Sequence, residues 1–401
     1  MRPNPGFGLY IHFPWCLSKC GYCDFYSVAV SASDSIDHEG YASAVLAELE
    51  QRLSRTALPR TPLPRLTTLY LGGGTPSLWR AQAIKRVLDH ILERFETDSH
   101  SVEITAECNP SSFDAKVADG LQAAGVNRIS LGIQSLDDEQ LRFLGRRHDR
   151  QLALDALETA LHCGIGRISA DVLFGLPRQT LADELAQIVQ VAGLPLSHVS
   201  AYALTIEEGT PFGRLAQRGR LPIAVEERVA DAFLAVHAEL ERLGYEHYEI
   251  SNFAKPGERS LHNQQYWWGY PYLGLGAGAV GTIPVAGQWL RYRNPPNARE
   301  YLARFGREGI GSGSVWDGDD QVEILDADTR FRERLMLGLR LREGVDLQAI
   351  GHELDVDPWT PERQRVLTRL AQNKRITLDG TRCYIDSDAW LLADGTIAQL
   401  M

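Results

Sequence analysis

At 401 residues, 44% of them hydrophobic, the chain exceeds one ordinary domain and can bury a large core. Its formal net charge of −11 argues against the basic footprint of a nucleic-acid binder, and no run of about 18 apolar residues is present to span a membrane. The Met-Arg-Pro-Asn-Pro-Gly start lacks a signal peptide's apolar stretch, and Cys108, Cys163 and Cys383 stand far apart, so a cytoplasmic protein without a disulfide framework is expected.

From residue 7 to about 205, short apolar runs alternate with amphipathic segments. The expected strands are Gly8–Phe13, Thr67–Leu71, Val102–Thr105, Arg128–Leu131, Ile168–Leu173 and His198–Ala203. The expected helices between them are Gly40–Arg55, Gln82–Phe95, Asp114–Ala124, Gln151–His162 and Leu181–Ala192. Strands separated by helices imply right-handed parallel crossovers. Six such units predict an α/β fold, a partial (β/α)6 barrel rather than a closed eightfold one. The active site of such a barrel collects where strands end and βα loops begin.

The first strand runs into Tyr10-Ile-His-Phe-Pro-Trp-Cys16-Leu-Ser-Lys-Cys20-Gly-Tyr22-Cys23-Asp-Phe25. Three thiolates spaced C-x3-C-x2-C can surround one metal centre but leave it one protein ligand short. Soft thiolates favour an iron–sulfur cluster, here with one iron open to an exogenous ligand. A zinc knuckle completed by His12, or a set of redox thiols, uses the same residues. After the second strand comes Leu71-Gly72-Gly73-Gly74-Thr75-Pro76, where consecutive glycines allow positive φ, close ligand approach and amides turned to an anion. Glu107, Gln134, Arg146 and Asp171 follow at or beyond later strand ends, with the hydrogen-bonding capacity to hold amino, hydroxyl or carboxylate groups.

Beyond the barrel, Val225–Leu243 is a periodic helix ending at Gly244, and residues 254–320 are rich in glycine, proline and aromatics. Asp328–Leu341, Leu347–Leu354 and Pro361–Gln372 read as helices. Ile376–Leu378 and Thr381–Ile385 flank Asp379-Gly380 as a hairpin. The resulting division is a barrel over 1–245, a connecting segment over 246–320, and a small α+β winged-helix-like domain over 321–401. The acidic chain favours a packing or docking role for that last unit over DNA binding.

Taken together, Tyr10…Cys16-x3-Cys20-x2-Cys23, Gly72-Gly-Gly-Thr75-Pro76, Glu107-Cys-Asn-Pro110, Gly132-Ile-Gln134-Ser, Leu144-Gly-Arg146-Arg-His148 and Asp171…Gly175-Leu-Pro177 resemble the oxygen-independent coproporphyrinogen III oxidase family of radical S-adenosylmethionine (SAM) proteins. The resemblance runs along nearly the whole chain. It implies that Cys16, Cys20 and Cys23 ligate a [4Fe–4S] cluster. It implies a SAM site at Tyr10, Gly74, Glu107 and Ala203, and a second at Tyr22, Gly73, Thr75, Gln134, Arg146 and Asp171.

That family contains both oxidases and heme chaperones, and three departures from the oxidase pattern favour the chaperone branch. Phe25 stands where the oxidase has a further cysteine, only nine residues precede Tyr10, and His262-Asn-Gln-Gln-Tyr266-Trp267 resembles the HNxxYW motif of the chaperones. Neutral imidazole is a common axial ligand of heme iron, which makes His262 a candidate, with His148 and His247 as alternatives. Tyr266, Trp267, Trp268, Tyr270 and Tyr272 offer flat aromatic area with polar edges. The resemblance thus implies a chaperone that binds heme, a cluster and SAM and passes heme to acceptor proteins, with respiratory enzymes at the membrane surface among them and a homodimer as one assembly. The alternative is the oxidase itself, decarboxylating coproporphyrinogen III through a 5′-deoxyadenosyl radical.

Overall fold

The computed structural model describes residues 6–55, 65–97, 101–306 and 321–401. The first half runs β1 (Phe7–Phe13), the short β2 (Trp15–Cys16) and β3 (Val28–Ala29), α1 (His38–Arg55), β4 (Leu66–Gly73), α2 (Ala81–Arg94), β5 (Glu103–Cys108) and α3 (Ala115–Ala123). It continues with β6 (Arg128–Gln134), α4 (Asp138–Leu144), α5 (Arg150–His162), β7 (Arg167–Phe174), α6 (Leu181–Ala192) and β8 (His198–Ala203). Strands β1, β4, β5, β6, β7 and β8 lie side by side in that order, all parallel. These are the six barrel strands expected from the alternating pattern.

Period-two alternation explains how the barrel both packs and binds. Leu9, Ile11, Leu69, Leu71, Ile104, Ala106, Ile129 and Leu131 are buried in the main core. The intervening Tyr10, Tyr70 and Glu107 instead line a cavity. Register keeps those residues abreast, with Tyr10 opposite Tyr70, Glu107 opposite Ser130, and Asp171 opposite both Gly132 and Ser200. Helix starts are capped by short polar side chains, for example Asp114, Asp149 and Thr180, the last in a capping box with Asp183. The seven-residue α4 was absent from the expected elements, being only two turns long.

The second half carries α7 (Pro211–Gln217), α8 (Glu226–Arg242), β9 (Glu246–Glu249), β10 (Asn252–Ala254), α9 (Leu261–Trp267), β11 (Tyr272–Leu275), β12 (Val280–Val285), β13 (Gln288–Arg293), α10 (Ala298–Phe305) and β14 (Val322–Leu325). The stretch 246–320 extends the barrel sheet at both edges; its last part, 307–320, lies outside the described residues. β10 pairs antiparallel with β8 and β9 antiparallel with β10, while β11 pairs parallel with β1 and leads to antiparallel β12, β13 and β14. The described sheet therefore has twelve strands.

A buried carboxylate ties this addition to the barrel. Glu48 of α1 accepts from Arg52 Nε (2.7 Å), Asn294 Nδ2 (2.8 Å), Tyr301 Oη (2.7 Å) and Gly276 N (2.9 Å). The C-terminal unit comprises α11 (Ala327–Gly338), β15 (Val345–Asp346), α12 (Leu347–Leu354), α13 (Pro361–Gln372), β16 (Thr377–Asp379), β17 (Arg382–Tyr384) and α14 (Ala393–Ala398). Its three strands form a separate sheet, and Phe331, Leu335, Leu347, Leu367 and Trp390 belong to its own core. It docks on the barrel where the Trp390 ring meets His247, centroids 4.1 Å apart. Among the described residues no helix is long and apolar enough to cross a membrane.

Candidate functional site

The loop after β1 carries Cys16, Cys20 and Cys23, all half-buried free thiols on one cavity of about 430 Å³. β2 pairs with β3, and Val30 N–H donates to Cys16 O at 2.8 Å, so the loop folds back and turns its thiols inward. Thr75 Oγ1 donates to Cys16 Sγ at 3.4 Å, and Arg146 Nη1 to Cys20 Sγ at 3.7 Å. Burial pushes the Cys16 thiol up and the Cys23 thiol up to about 11, so metal charge is what would ionise them. Both His12 nitrogens are engaged, Nδ1 with Tyr10 Oη (2.9 Å) and Nε2 with Tyr26 O (2.8 Å). His12 is therefore no fourth zinc ligand in this arrangement. Among the described residues no group of three or more His, Cys, Asp or Glu is gathered around a point fit for a single ion. The three thiols line one cavity, and three soft thiolates are a donor set that fits an iron–sulfur cluster.

The glycine turn closes against Glu107. Gly73 has φ +107, and a Cβ there would strike the His12 ring at 2.6 Å; a Cβ on Gly74 would meet Trp15 O at 2.7 Å. The amides expected to face an anion are already used: Gly73 N–H donates to Glu107 Oε2 (3.1 Å) and Gly74 N–H to Phe13 O (2.7 Å). What these glycines supply is room. Glu107 also accepts from Tyr70 Oη at 2.8 Å. Burial drives its carboxyl up to about 7, with the Asp171 charge adding to the rise.

Gln134, Arg146, Asp171, Tyr22 and Thr75 line the same cavity. Gln134 takes φ 68 at a register shift in β6, a strained position for a residue with a side chain. Arg146 Nη2 donates to Gly132 O at 2.7 Å, while its buried Nε has no partner among the described residues. That orphan donor, on the same cavity as Glu107, fits a ligand carrying both carboxylate and ammonium groups, as SAM does. Asp171 accepts from Ser130 Oγ at 3.1 Å, and burial raises its carboxyl. Tyr22 is likewise raised by burial, with the Arg146 charge opposing the rise.

A second cavity of about 830 Å³ adjoins the first, sharing Gly73, Glu107 and Ala203 with it. Tyr10, His262, Tyr266, Trp267 and Tyr272 line it. His262 is 1% exposed and stacks on Tyr70, centroids 4.9 Å apart. Its backbone N–H donates to Glu103 Oε1 at 2.9 Å, which pins the start of α9 to the barrel. Thr68 Oγ1 donates to Gln265 Oε1 at 3.0 Å, so its oxygen accepts from His262 Nδ1–H at 2.8 Å. Nε2 is then the free lone pair and accepts from Tyr266 Oη at 2.9 Å. Burial, with Arg128 nearby, lowers His262 to about 3, so the ring is neutral, the form that ligates iron. Any metal at Nε2 must displace Tyr266. His148 and His247 are buried elsewhere and do not line the larger cavity.

Several cavity residues escaped the motif reading. Tyr70, and Thr68 behind the cavity against His262, were recoverable as the polar alternates of β4. Glu249, Arg293, Arg340 and Trp390 also line the larger cavity, but they come from sheet-edge strands and the C-terminal unit, where no local pattern marks them.

Residues 10–190 match the radical SAM superfamily, and residues 325–392 match the HemN C-terminal domain. The chain is 32% identical to the heme chaperone HemW of Mycobacterium tuberculosis, covering 100% of this chain and 97% of that protein. It is 38% identical to the heme chaperone HemW of Escherichia coli, covering 74% of this chain and 76% of that one. The crystallised coproporphyrinogen III oxidase HemN of Escherichia coli, a radical SAM enzyme, superposes with TM-score 0.80 at 22% identity, over 99% of this chain and 90% of that one, which establishes a shared fold. The radical SAM superfamily implies a [4Fe–4S] cluster and SAM. The chain belongs to the HemW family of radical SAM proteins.

Proposed function

We propose that the protein is a heme chaperone: it binds heme in the larger cavity, beside a [4Fe–4S] cluster and SAM in the smaller one, and passes heme to acceptor proteins. The observation that carries this reading is the continuity of the two cavities through Gly73, Glu107 and Ala203. At about 830 Å³ the larger one lies within the range of ligand cavities and has aromatic walls suited to a flat macrocycle.

Cys16, Cys20 and Cys23 would hold the cluster, leaving one iron for SAM. Tyr10, Gly74, Glu107 and Ala203 would hold that SAM; Tyr22, Gly73, Thr75, Gln134, Arg146 and Asp171 would hold a second. Cluster and SAM, when bound, supply one-electron chemistry. The chain's own contribution is positional. Gly73 and Gly74 leave space, Glu107 offers an acceptor to an ammonium, and Arg146 offers its orphan Nε–H to a carboxylate. His262 presents a neutral ring behind Tyr266, poised to exchange that hydrogen bond for iron. Acceptors at the membrane surface and a homodimer belong to the same reading.

The test is anaerobic. Cluster-reconstituted protein is titrated with ferric heme, then mixed with an apo-cytochrome acceptor; a parallel reaction holds SAM, reductant and coproporphyrinogen III, resolved by mass spectrometry. Heme binding and transfer without protoporphyrinogen formation is the expected result. Sustained protoporphyrinogen production, or no heme binding by protein with an intact cluster, overturns the reading.

A further inference from the structure

We propose that Trp267 Nε1 and Arg340 Nε together form a seat for a carboxylate carried by the ligand of the larger cavity. This rests on the reading of that cavity as a site for a heme-like macrocycle, and it adds the group by which one edge of the ring is held.

Both residues line the larger cavity. Both donor atoms are buried and have no hydrogen-bond partner among the described residues. The Arg340 guanidinium lies 5.0 Å from the Trp267 ring centroid, so the two orphan donors are neighbours. Native proteins satisfy nearly all buried polar groups, and two adjacent exceptions on one cavity wall point to a missing acceptor. An indole N–H and a guanidinium N–H can only donate, and one of them is cationic; the complementary group is an anion with oxygen lone pairs. Neither nearby carboxylate bonds Arg340 Nε. Asp394, 89% exposed at the rim, takes Arg340 Nη1 at 3.2 Å, and Glu249 accepts from Asn252 Nδ2 and Ser251 N.

The seat is assembled from distant parts of the chain. Trp267 ends α9, whereas Arg340 follows α11 in the C-terminal unit. Arg342 N–H donates to Tyr248 O at 3.0 Å and Leu341 bridges to Glu249, which holds the backbone around Arg340 against the barrel sheet. Docking of the C-terminal unit therefore completes the ligand cavity, and the tryptophan of the HNxxYW segment acquires a polar role beside its aromatic one.

The experiment compares ferric heme, which carries two propionates, with heme dimethyl ester, which carries none as anions. Both are titrated into the full chain and into Trp267→Phe and Arg340→Gln variants, followed by visible absorption, with iron content and circular dichroism as controls. Trp267→Phe keeps an aromatic ring and removes the N–H together with part of the ring area, which the ester titration reads separately, so it stands as the decisive variant should Arg340→Gln misfold. The wild type should bind heme roughly tenfold to a hundredfold more tightly than the ester. Each variant should lose about tenfold more affinity for heme than for the ester. Equal affinity of the wild type for heme and ester, or variants that weaken both ligands alike, overturns the seat while leaving heme binding intact. A wild type that binds neither ligand overturns the chaperone reading and the seat with it.

Discussion

Tyr70 Oη donates to Glu107 Oε1 at 2.8 Å at the junction of the two cavities, from a strand neighbouring that of its partner. The other oxygen of Glu107 takes the Gly73 amide, so one buried carboxylate holds the glycine turn and faces both ligand spaces. Its protonation should be felt in both stability and binding.

Burial raises Glu107 from an ordinary 4.5 to about 7. Between those values the folded state holds a proton that the unfolded state has lost. Its contribution to stability is fully present below pH 4.5 and is lost as pH rises through 7, a change of roughly 3 kcal/mol at most. Thermal melts across pH 5 to 8 should show this decline, and Glu107→Gln should flatten it. SAM affinity should move the opposite way, rising through pH 7 as the carboxylate ionises. A Glu107→Gln protein that keeps the wild-type pH profile of SAM binding would show that this carboxyl does not hold SAM.

Serine at Cys16, Cys20 or Cys23 should abolish the cluster, seen as lost iron and lost visible charge-transfer absorption. Serine at Cys163 or Cys383 should leave iron content unchanged, because both are buried in packing away from the cysteine cavity. Full iron content in all three motif variants would remove the cluster assignment.

His262→Ala should weaken heme binding and spare the cluster. It also deletes a ring buried between Thr68 and Tyr266, so a stability loss of about 2–4 kcal/mol is expected in urea unfolding. Tyr266→Phe separates the two effects. It frees Nε2, so heme affinity should hold or rise if His262 ligates iron. Unchanged heme affinity in His262→Ala would end the proposed ligand role.

Glu48→Ala should cost about 3–5 kcal/mol, since it takes the carboxylate away from the fully buried Arg52 charge, which also donates to the neutral Asn294 Oδ1, and from three further donors. Chemical denaturation measures this directly. A loss under about 1 kcal/mol would mean that the added sheet edge is held by packing alone.

The six barrel strands were legible because each is an apolar run followed by a helix-length amphipathic segment, a pattern set by local periodicity. The motif residues were legible for a related reason: Cys16, Gly73, Glu107 and Gln134 lie at or near strand ends, with Asp171 three residues before the end of β7, and barrel geometry brings strand ends together. The edge strands β9 to β14 were not. They are short, and β11 reads only as Tyr-Leu-Gly-Leu until β1 is there to pair with it.

Sequence alone thus determined the barrel, the thiol triplet and the glycine turn, whose spacing carries its own chemistry. Only tertiary structure decided that Gly73 and Gly74 have spent their amides, that His262 hides behind Tyr266, and that Arg340 meets Trp267. Each of these depends on which donor finds which acceptor across tens to hundreds of residues. Hydrogen bonds of that kind leave no periodic trace in the chain, because their partners are chosen by packing.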